Sequence, residues 1–226
     1  MLCIIPARSG SEGLKNKNIL NFNKKPLIYY TIKAALKSSK ITKVLVITDS
    51  KKIANISKKF GAEVPFLRPK KLASNSSMVI DTYNYVIERL NKNNNYKINE
   101  FIALLPTAPL RNYTDIDNAI NLFKRKKADS VISMTEASYP IQWNKLLKKS
   151  GRIFSYSKSF DTISNRQIYN KTFIPNGAIY IFNYKKLIKD RNYYFKKTYA
   201  YLMPKEKSVD IDNIFDFKFA ELLNKL

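Results

Sequence analysis

The stretch LCIIPARSGSEGLKNKN, residues 2–18, joins a short apolar segment to a polar loop. The segment LCIIP predicts a buried strand that ends at Pro6. The loop combines two glycines, which let backbone N–H groups approach a ligand, with three cations: Arg8, Gly10, Gly13, Lys15 and Lys17. It matches neither the Walker pattern nor the dinucleotide G-x-G-x-x-G pattern. The loop predicts a phosphate site, and a lysine-rich surface loop is the alternative.

Beyond this loop, short apolar runs alternate with segments of helical spacing. The predicted strands are 43–49, 62–69 (a strand or an extended segment), 101–106, 129–134, 177–182 and 199–204. The predicted helices are 26–39, 50–61, 79–90, 115–127 and 213–226. This order predicts an α/β fold in which helices cover both faces of a mainly parallel, twisted sheet. One domain over residues 1–226 is expected, with its site outside the carboxyl ends of the strands, where the first loop, Asp49 and PTAPLR (106–111) fall.

The alternation breaks between residues 136 and 174. This segment holds the single Trp143, many Ser and Tyr residues, and no clear period. An extended β arm, a lid or a dimer contact would each account for it.

Composition excludes several classes of chemistry and location. The chain of 226 residues has no histidine, which removes the commonest general base and the commonest zinc ligand. Its single cysteine, Cys3, excludes an internal disulfide and is expected to be a buried apolar side chain. No apolar run is long enough to span a membrane, and no signal peptide is recognisable. A cytoplasmic protein is therefore expected.

The net charge of +24 arises from 41 Lys and Arg residues against 17 Asp and Glu residues. Such an excess suggests a polyanionic partner. The lysines are dispersed, however, and occur with Asn and Ile in stretches such as LNKNNNYKIN (90–99), as an AT-rich genome would produce. We therefore expect attraction of a phosphorylated small substrate, with nucleic-acid binding as the alternative.

Two further motifs carry chemical groups. In SVDIDNIFD (208–216), an extended backbone would place Asp210 and Asp212 on one face, as two carboxylates that bind a metal should lie. Aspartates before a helix are also common as caps. In PNGAIYIF (175–182), the Asn176-Gly177 pair before an apolar strand indicates a turn.

Six motifs in order resemble those of the acylneuraminate cytidylyltransferase family, the CMP-sialic-acid synthetases. They are IIPARSGSEGLKNKN (4–18), AEVPFLRPKKLASN (62–75), LLPTAPLR (104–111), ADSVISM (128–134), IPNGAIYIF (174–182) and SVDIDNIFD (208–216). The resemblance implies a Rossmann-like, three-layer α/β/α nucleotidyltransferase fold. It also implies that residues 136–174 form an extended dimerisation arm that contributes to the sugar site, and that the protein is a homodimer.

The activity implied by the resemblance is transfer of CMP from CTP to a nine-carbon 2-keto-sugar acid. It would use Mg²⁺ and release pyrophosphate. The implied catalytic residues are Arg8, Lys17 and Asp212, with Asp212 as the proton acceptor. Those implied for nucleotide binding are Arg8, Ser9, Gly10, Gly13, Lys15, Lys17, Asn18, Arg68 and Ser74. Those implied for sugar binding are Leu105, Thr107, Gln142, Arg166, Gln167 and Asn176, and the implied metal ligands are Asp210 and Asp212.

The chain departs from the family pattern at four positions. Glu12 stands where the family usually has a lysine that contacts phosphate. Leu105 replaces a glutamine that occurs in several sialic-acid enzymes. Gln142 stands where some members of the family have a lysine, and Ile174 stands where several have an arginine. These three changes on the sugar side favour a legionaminic or pseudaminic type of acid at least as much as N-acetylneuraminic acid.

Glu12 admits three accounts. It points to solvent while Lys15 supplies the missing charge, it approaches the magnesium, or it weakens the enzyme. We favour the first. The competing functions are a neighbouring nucleotidyltransferase for another sugar and a degenerate homologue that binds CTP without turnover.

Overall fold

The structure, a computed structural model, describes residues 1–10, 13–74, 76–93, 97–157 and 165–225. The strands are β1 (Leu2–Pro6), β2 (Asn21–Phe22), β3 (Lys25–Pro26), β4 (Lys43–Ile47), β5 (Glu100–Ala103), β6 (Ser130–Glu136), β7 (Lys145–Leu147), β8 (Ile153–Ser155), β9 (Phe173–Asn183) and β10 (Thr198–Leu202). The helices are α1 (Leu27–Lys37), α2 (Lys51–Lys59), α3 (Val79–Asn93), α4 (Tyr113–Lys126), α5 (Tyr184–Asp190) and α6 (Ile214–Leu223).

A six-stranded sheet forms the centre, in the order β10-β6-β9-β5-β1-β4. Strand β1 pairs in parallel with β4 and β5, and β6 pairs in parallel with β10. Strand β9 is antiparallel to both of its neighbours, β5 and β6. The predicted α/β fold with a mainly parallel sheet is confirmed. Because β9 runs the opposite way, its first residues lie at the edge where β5 and β6 end.

Helices cover both faces of this sheet, because side chains along each strand alternate between two cores. Cys3 and Ile5 of β1 pack with residues of α1 and α4, while Leu2 and Ile4 pack with residues of α3. A third, smaller cluster joins α6 to the segment after the first loop, through Phe22, Leu27, Ile211, Phe217 and Ala220.

Capping residues explain where several helices begin. The Ser50 hydroxyl accepts a hydrogen bond from the Ile53 N–H, so α2 starts at the predicted cap. Helix α4 starts two residues earlier than predicted, because Asn112 and Asp115 form a capping box around its first turn. Asn213 and Asp216 form the same motif at the start of α6.

The described part of the segment 136–174, which we call the arm, connects β6 to β9. Strands β7 and β8 form an antiparallel hairpin within it. The arm exposes large apolar side chains, among them Tyr139, Trp143, Leu147, Ile153, Phe154, Tyr156 and Ile168. The segment 62–69 is extended and makes a single bridge, between Glu63 and Leu45. Among the residues described, no helix has the length and apolar character needed to cross a membrane.

Candidate active site

A cleft of about 580 Å³ opens just past the carboxyl ends of β1 and β5. We call it the main cleft. Its lining consists of Pro6, Arg8, Gly13, Lys17, Asn18, Arg68, Leu72, Ser74, Ser77, Val79, Thr82, Leu105, Pro106, Thr107 and Asp212. Three cations and one carboxylate thus face an otherwise neutral wall. Its position is the one that the topology of a parallel sheet predicts for a ligand site.

The first loop is held in place by its own polar side chains. The Asn18 amide Nδ2 donates to the Arg8 carbonyl oxygen at 2.9 Å, and Asn18 is buried. The Arg8 Nη1 donates to the Ser74 carbonyl oxygen at 3.3 Å. Arg8 therefore connects the first loop to the segment on the opposite side of the main cleft.

The first loop also contacts the segment that carries the two predicted metal ligands. The Lys17 Nζ lies 3.0 Å from Asp212 Oδ1 and donates to the Ile211 carbonyl oxygen at 2.5 Å. Gly13 packs directly against the Asp212 carbonyl, where any Cβ would overlap that oxygen. Two motifs from opposite ends of the chain therefore form one side of the main cleft.

Asp210 lies beside Thr107 and Gly177. The Ile211 N–H donates to the Thr107 carbonyl oxygen at 2.8 Å, and the Thr107 side chain hydrogen-bonds the Asp210 carboxylate. Gly177 has φ +71°, and a Cβ there would lie 2.6 Å from Asp210 Oδ2. Although solvent reaches Asp210, desolvation by the surrounding protein raises its pKa, and Asp212 adds to that effect.

The Asn176-Gly177 pair lies inside β9, so the turn indicated by these two residues is wrong. The pair lies opposite the point where the register of the β6–β9 pairing shifts, between Ile132 and Met134 of β6. Asn176 is 3% exposed, and its Oδ1 accepts hydrogen bonds from the Ser133 hydroxyl at 2.6 Å and the Ala178 N–H at 3.2 Å. Its Nδ2 donates to the Ser208 hydroxyl at 2.8 Å. The amide thus links β6 to the segment that leads to Asp210.

Arg68 is buried on the main cleft with few partners. Its Nη1 lies 3.4 Å from Thr82 Oγ1, and its Nη2 is 3.8 Å from Asp49 Oδ1. Within the described ranges, Nε and Nη2 have no hydrogen-bond partner. Burial, followed by the charge of Arg8, lowers the pKa of Arg68, although Asp49 opposes the shift. A buried guanidinium with unused donors on a cleft suits an anionic or carbonyl-bearing ligand.

The main cleft gathers many of the residues named from the sequence. Those along its lining are Arg8, Gly13, Lys17, Asn18, Arg68, Ser74, Leu105, Thr107 and Asp212. Those beyond its lining are Ser9, Gly10, Lys15, Gln142, Arg166, Gln167, Asn176 and Asp210. Arg166 and Gln167 line a separate hollow of about 460 Å³ beside Glu136 and Tyr139 in the arm. Glu12 lies outside the described residues, so the three accounts of its role stay predictions.

Sequence reasoning did not assign roles to several residues of this region. Leu72, Ser77, Val79 and Thr82 form one wall of the main cleft. Arg111 is 3% exposed and donates to the Ala108 carbonyl and, at 2.5 Å, to Thr31 Oγ1. Burial lowers its pKa to about 10. The only signal available for Arg111 was the PTAPLR motif itself, because its partners are distant in the sequence.

The residues around Asp210 and Asp212 fit a hard divalent cation. No cluster of three or more Cys, Asp or Glu side chains suited to a metal occurs in the part of the chain that the structure covers. Two carboxylates are enough for Mg²⁺ when substrate phosphates supply further ligands. Gly177 leaves room for the Asp210 carboxylate, and the Asp212 side chain is 81% exposed.

The architecture is that of the Rossmann-like nucleotidyltransferase fold. A solved structure described as CMP:2-keto-3-deoxy-manno-octonic acid synthetase complexed with CTP has a TM-score of 0.71 and 15% identity, over 99% of this chain and 98% of that chain. A second solved structure, described as 4-diphosphocytidyl-2C-methyl-D-erythritol synthase from Anaerococcus prevotii, has a TM-score of 0.63 and 12% identity. The match covers 99% of this chain and 95% of that chain. At such identities these likenesses concern the fold alone.

The chain belongs to the cytidylyltransferase family, because the family model described as Cytidylyltransferase matches residues 2–225. An N-acylneuraminate cytidylyltransferase of Escherichia coli O18:K1:H7 is 35% identical over 97% of this chain and 51% of the relative. The chain thus spans about half the length of that relative.

Two other relatives match over nearly their whole length. The CMP-N,N'-diacetyllegionaminic acid synthase of Legionella pneumophila is 34% identical over 100% of this chain and 97% of the relative. A pseudaminic acid cytidylyltransferase of Campylobacter jejuni is 32% identical over 100% and 96%. The three names cover three types of nonulosonic acid.

Proposed function

We propose that this chain is a CTP-dependent cytidylyltransferase that activates a nine-carbon 2-keto-sugar acid for bacterial surface glycan synthesis. The sugar's anomeric oxygen would bond to the α-phosphorus of CTP. The bond from that phosphorus to pyrophosphate would break. The observation that carries the proposal is the main cleft of this family member, where Arg8, Lys17 and Arg68 face Asp212.

The charges of the main cleft match this chemistry. CTP carries about four negative charges and the sugar acid one more, so bringing them together requires cations that hold the phosphates in place. Arg8 and Lys17 would bind the triphosphate, and Arg68, with its unused donors, would bind the nucleotide. The Asp212 carboxylate, beside Lys17, would accept the proton of the anomeric hydroxyl.

Asp210 and Asp212 would hold the magnesium together with phosphate oxygens. When bound, the ion would neutralise phosphate charge and lower the pKa of the attacking hydroxyl. Thr107 and Gly177 would keep the Asp210 carboxylate in position. The Asn176 amide would act on this segment through Ser208.

The sugar would be of the sialic, legionaminic or pseudaminic type, and the two latter types fit at least as well as the first. Leu105, on the lining of the main cleft, offers the sugar an apolar contact where a glutamine occurs in several sialic-acid enzymes. Relatives of nearly equal length bear the names of legionaminic and pseudaminic acid enzymes, which supports this preference. Gln142, Arg166 and Gln167 would contribute from the arm of a second subunit.

A homodimer is the second part of the proposal. The arm exposes several large apolar side chains, and exposed apolar surface of this kind is typical of a protein–protein interface. Arg166 and Gln167, which lie in the arm, would then reach the neighbouring subunit's main cleft. We also expect the enzyme to act in the cytoplasm, where CTP is available.

A substrate panel tests the proposal. The purified chain is incubated with CTP, Mg²⁺ and separate nonulosonic acids, and pyrophosphate release is measured. Turnover with a legionaminic or pseudaminic acid is expected. A folded protein that releases no pyrophosphate with any of these acids would contradict the proposal, and light scattering of the same sample measures the dimer.

The second candidate is the same transfer to an eight-carbon keto-sugar acid. It is favoured by the fold likeness to an enzyme named for 2-keto-3-deoxy-manno-octonic acid. Adding that acid to the panel, together with the other nucleoside triphosphates, separates the two candidates.

A further inference from the structure

Asp49 lies just past the end of β4, and both of its carboxylate oxygens accept hydrogen bonds from one residue of the first loop. Its Oδ1 accepts a hydrogen bond from the Ser9 N–H at 2.9 Å. Its Oδ2 accepts one from the Ser9 hydroxyl at 2.5 Å. Bidentate contacts of this kind fix the direction of the partner as well as its distance.

These contacts continue the pairing of β1 and β4 past the point where backbone pairing stops. The last backbone hydrogen bond along this pair of strands runs from the Ala7 N–H to the Ile47 carbonyl oxygen, at 2.9 Å. Two residues further on, the Asp49 side chain takes the role that a strand carbonyl would have. The first loop therefore leaves the sheet from a fixed residue, Ser9, whose neighbour Arg8 lines the main cleft.

Asp49 also accompanies Arg68, whose Nη2 lies 3.8 Å from Oδ1. This ion pair is too long for a hydrogen bond, so the guanidinium keeps its donors for another partner. Asp49 itself is not among the residues that line the main cleft. Its negative charge is thus directed at Ser9 and Arg68 rather than at the place of a ligand.

We propose that Asp49 is a positioning residue of the nucleotide site. It sets the first loop through Ser9 and retains Arg68 beside the main cleft. The inference rests on the proposed use of CTP. Misplacing a binding group by about 1 Å can cost a factor of about 100, so loss of this anchor should weaken CTP binding strongly.

Two variants of Asp49 separate the loss of its hydrogen bonds to Ser9 from the loss of its negative charge. Asp49→Ala removes both acceptors, and we expect a KM for CTP at least about tenfold higher, with the KM for the sugar unchanged. Asp49→Asn keeps an oxygen for the Ser9 N–H and offers an amide N–H to the Ser9 hydroxyl. We expect its KM for CTP to rise by no more than about threefold.

Asp117→Ala is a matched control. Asp117 also binds serines, through the Ser38 hydroxyl and both the N–H and the hydroxyl of Ser39, but on α4, away from the main cleft. Its loss should lower thermal stability without changing the KM for CTP. Calorimetry with CTP provides the same comparison without turnover.

A double-mutant cycle with Ser9→Ala completes the test. Because Ser9 and Asp49 act as one unit in this inference, Ser9→Ala should add little to the effect of Asp49→Ala. Equal CTP dissociation constants for wild type and Asp49→Ala, or equal losses for Asp49→Asn and Asp49→Ala, would overturn the positioning role. If Asp49→Ala does not fold, the cycle uses Asp49→Asn in its place. Additive effects of Asp49→Asn and Ser9→Ala on the CTP dissociation constant would then overturn the inference. Absence of CTP binding by the wild type would instead refute the proposed function.

Discussion

The Lys17 ammonium lies 3.0 Å from the Asp212 carboxylate, although 195 positions separate the two residues in the chain. The same ammonium donates to the Ile211 carbonyl oxygen. Lys17 is buried, while the Asp212 side chain is 81% exposed. The pair therefore places a cation that is held by hydrogen bonds, and a carboxylate that solvent can reach, on the lining of the main cleft.

Lys17→Met should remove the cation from this pair while keeping most of the side-chain volume. Loss of one preorganised charge at a reacting phosphate costs about 10²–10³ in kcat, and we expect a fall of that order. Pyrophosphate release under saturating CTP measures it. Lys33→Met, at an exposed position of α1, is the control, and an equal fall in both variants would contradict the role of Lys17.

Gly177→Ala should displace the Asp210 carboxylate. The added Cβ would lie 2.6 Å from Asp210 Oδ2, so we expect a loss of kcat of about 100-fold. Gly151→Ala is a matched control, because Gly151 also has a positive φ, +81°, but has open space around it. Both variants should lose some stability through backbone strain. Activity that survives in Gly177→Ala would show that Asp210 does not depend on this space.

Glu12→Lys restores the charge that the family resemblance leads us to expect in the first loop. We expect little change in CTP turnover, because in the favoured account Glu12 points to solvent and Lys15 supplies the missing charge. A large gain would instead indicate that Glu12 weakens the enzyme. A loss would indicate a contact with magnesium, and repeating the assay over a range of Mg²⁺ concentrations would identify it.

The Asp117 carboxylate should contribute to acid stability over a defined pH window. Desolvation acts to raise its pKa, but hydrogen bonds from Ser38 and Ser39 outweigh it, and the pKa lies below the ordinary value. A depressed pKa in the folded state adds stability that is complete above the unfolded pKa, about 3.9, and is lost as the pH falls through the folded value.

Urea unfolding of wild type and Asp117→Asn checks this window. The difference in free energy of unfolding should be constant from pH 7 to about 5 and should shrink below about pH 4. A difference that grows as the pH falls would contradict the sign of the shift.

The Cys3 thiol should report on unfolding rather than on native chemistry. Cys3 has 0% exposure, and burial raises its pKa to about 12, so thiolate is scarce at neutral pH. Labelling with a thiol reagent should be slow in the native protein and should accelerate with urea in parallel with unfolding. Fast stoichiometric labelling without urea would refute the burial of β1.

Local patterns were sufficient to predict much of the fold. Alternating apolar runs specified β1 and β4, and the capping position of Ser50 specified the start of α2. The predicted strand at 177–182 is part of β9. These features depend on neighbours within a few residues, which is why a single sequence contains them.

Other features depend on partners far along the chain. The Asn-Gly pair at 176–177 has the composition of a turn, but the facing irregularity in β6 and the Asp210 carboxylate place it within a strand. Asp49 was noted only as an acid at a strand end, and its contacts with Ser9 and Arg68 required the folded sheet. The main cleft and its surroundings bring distant groups together because the neighbouring strands β4, β1 and β5 end at one edge of the sheet.

The contact of the first loop with residues 211–212 has a consequence for how the protein is made. A ribosome completes the first loop almost two hundred residues before it adds Asp212, so a nascent chain cannot assemble this side of the main cleft until Asp212 has been synthesised. Fragments that end between Leu202 and Asp212 would retain the described strands but lack the carboxylate that faces Lys17. This side of the main cleft therefore forms only after the chain has already produced all the described strands of the sheet.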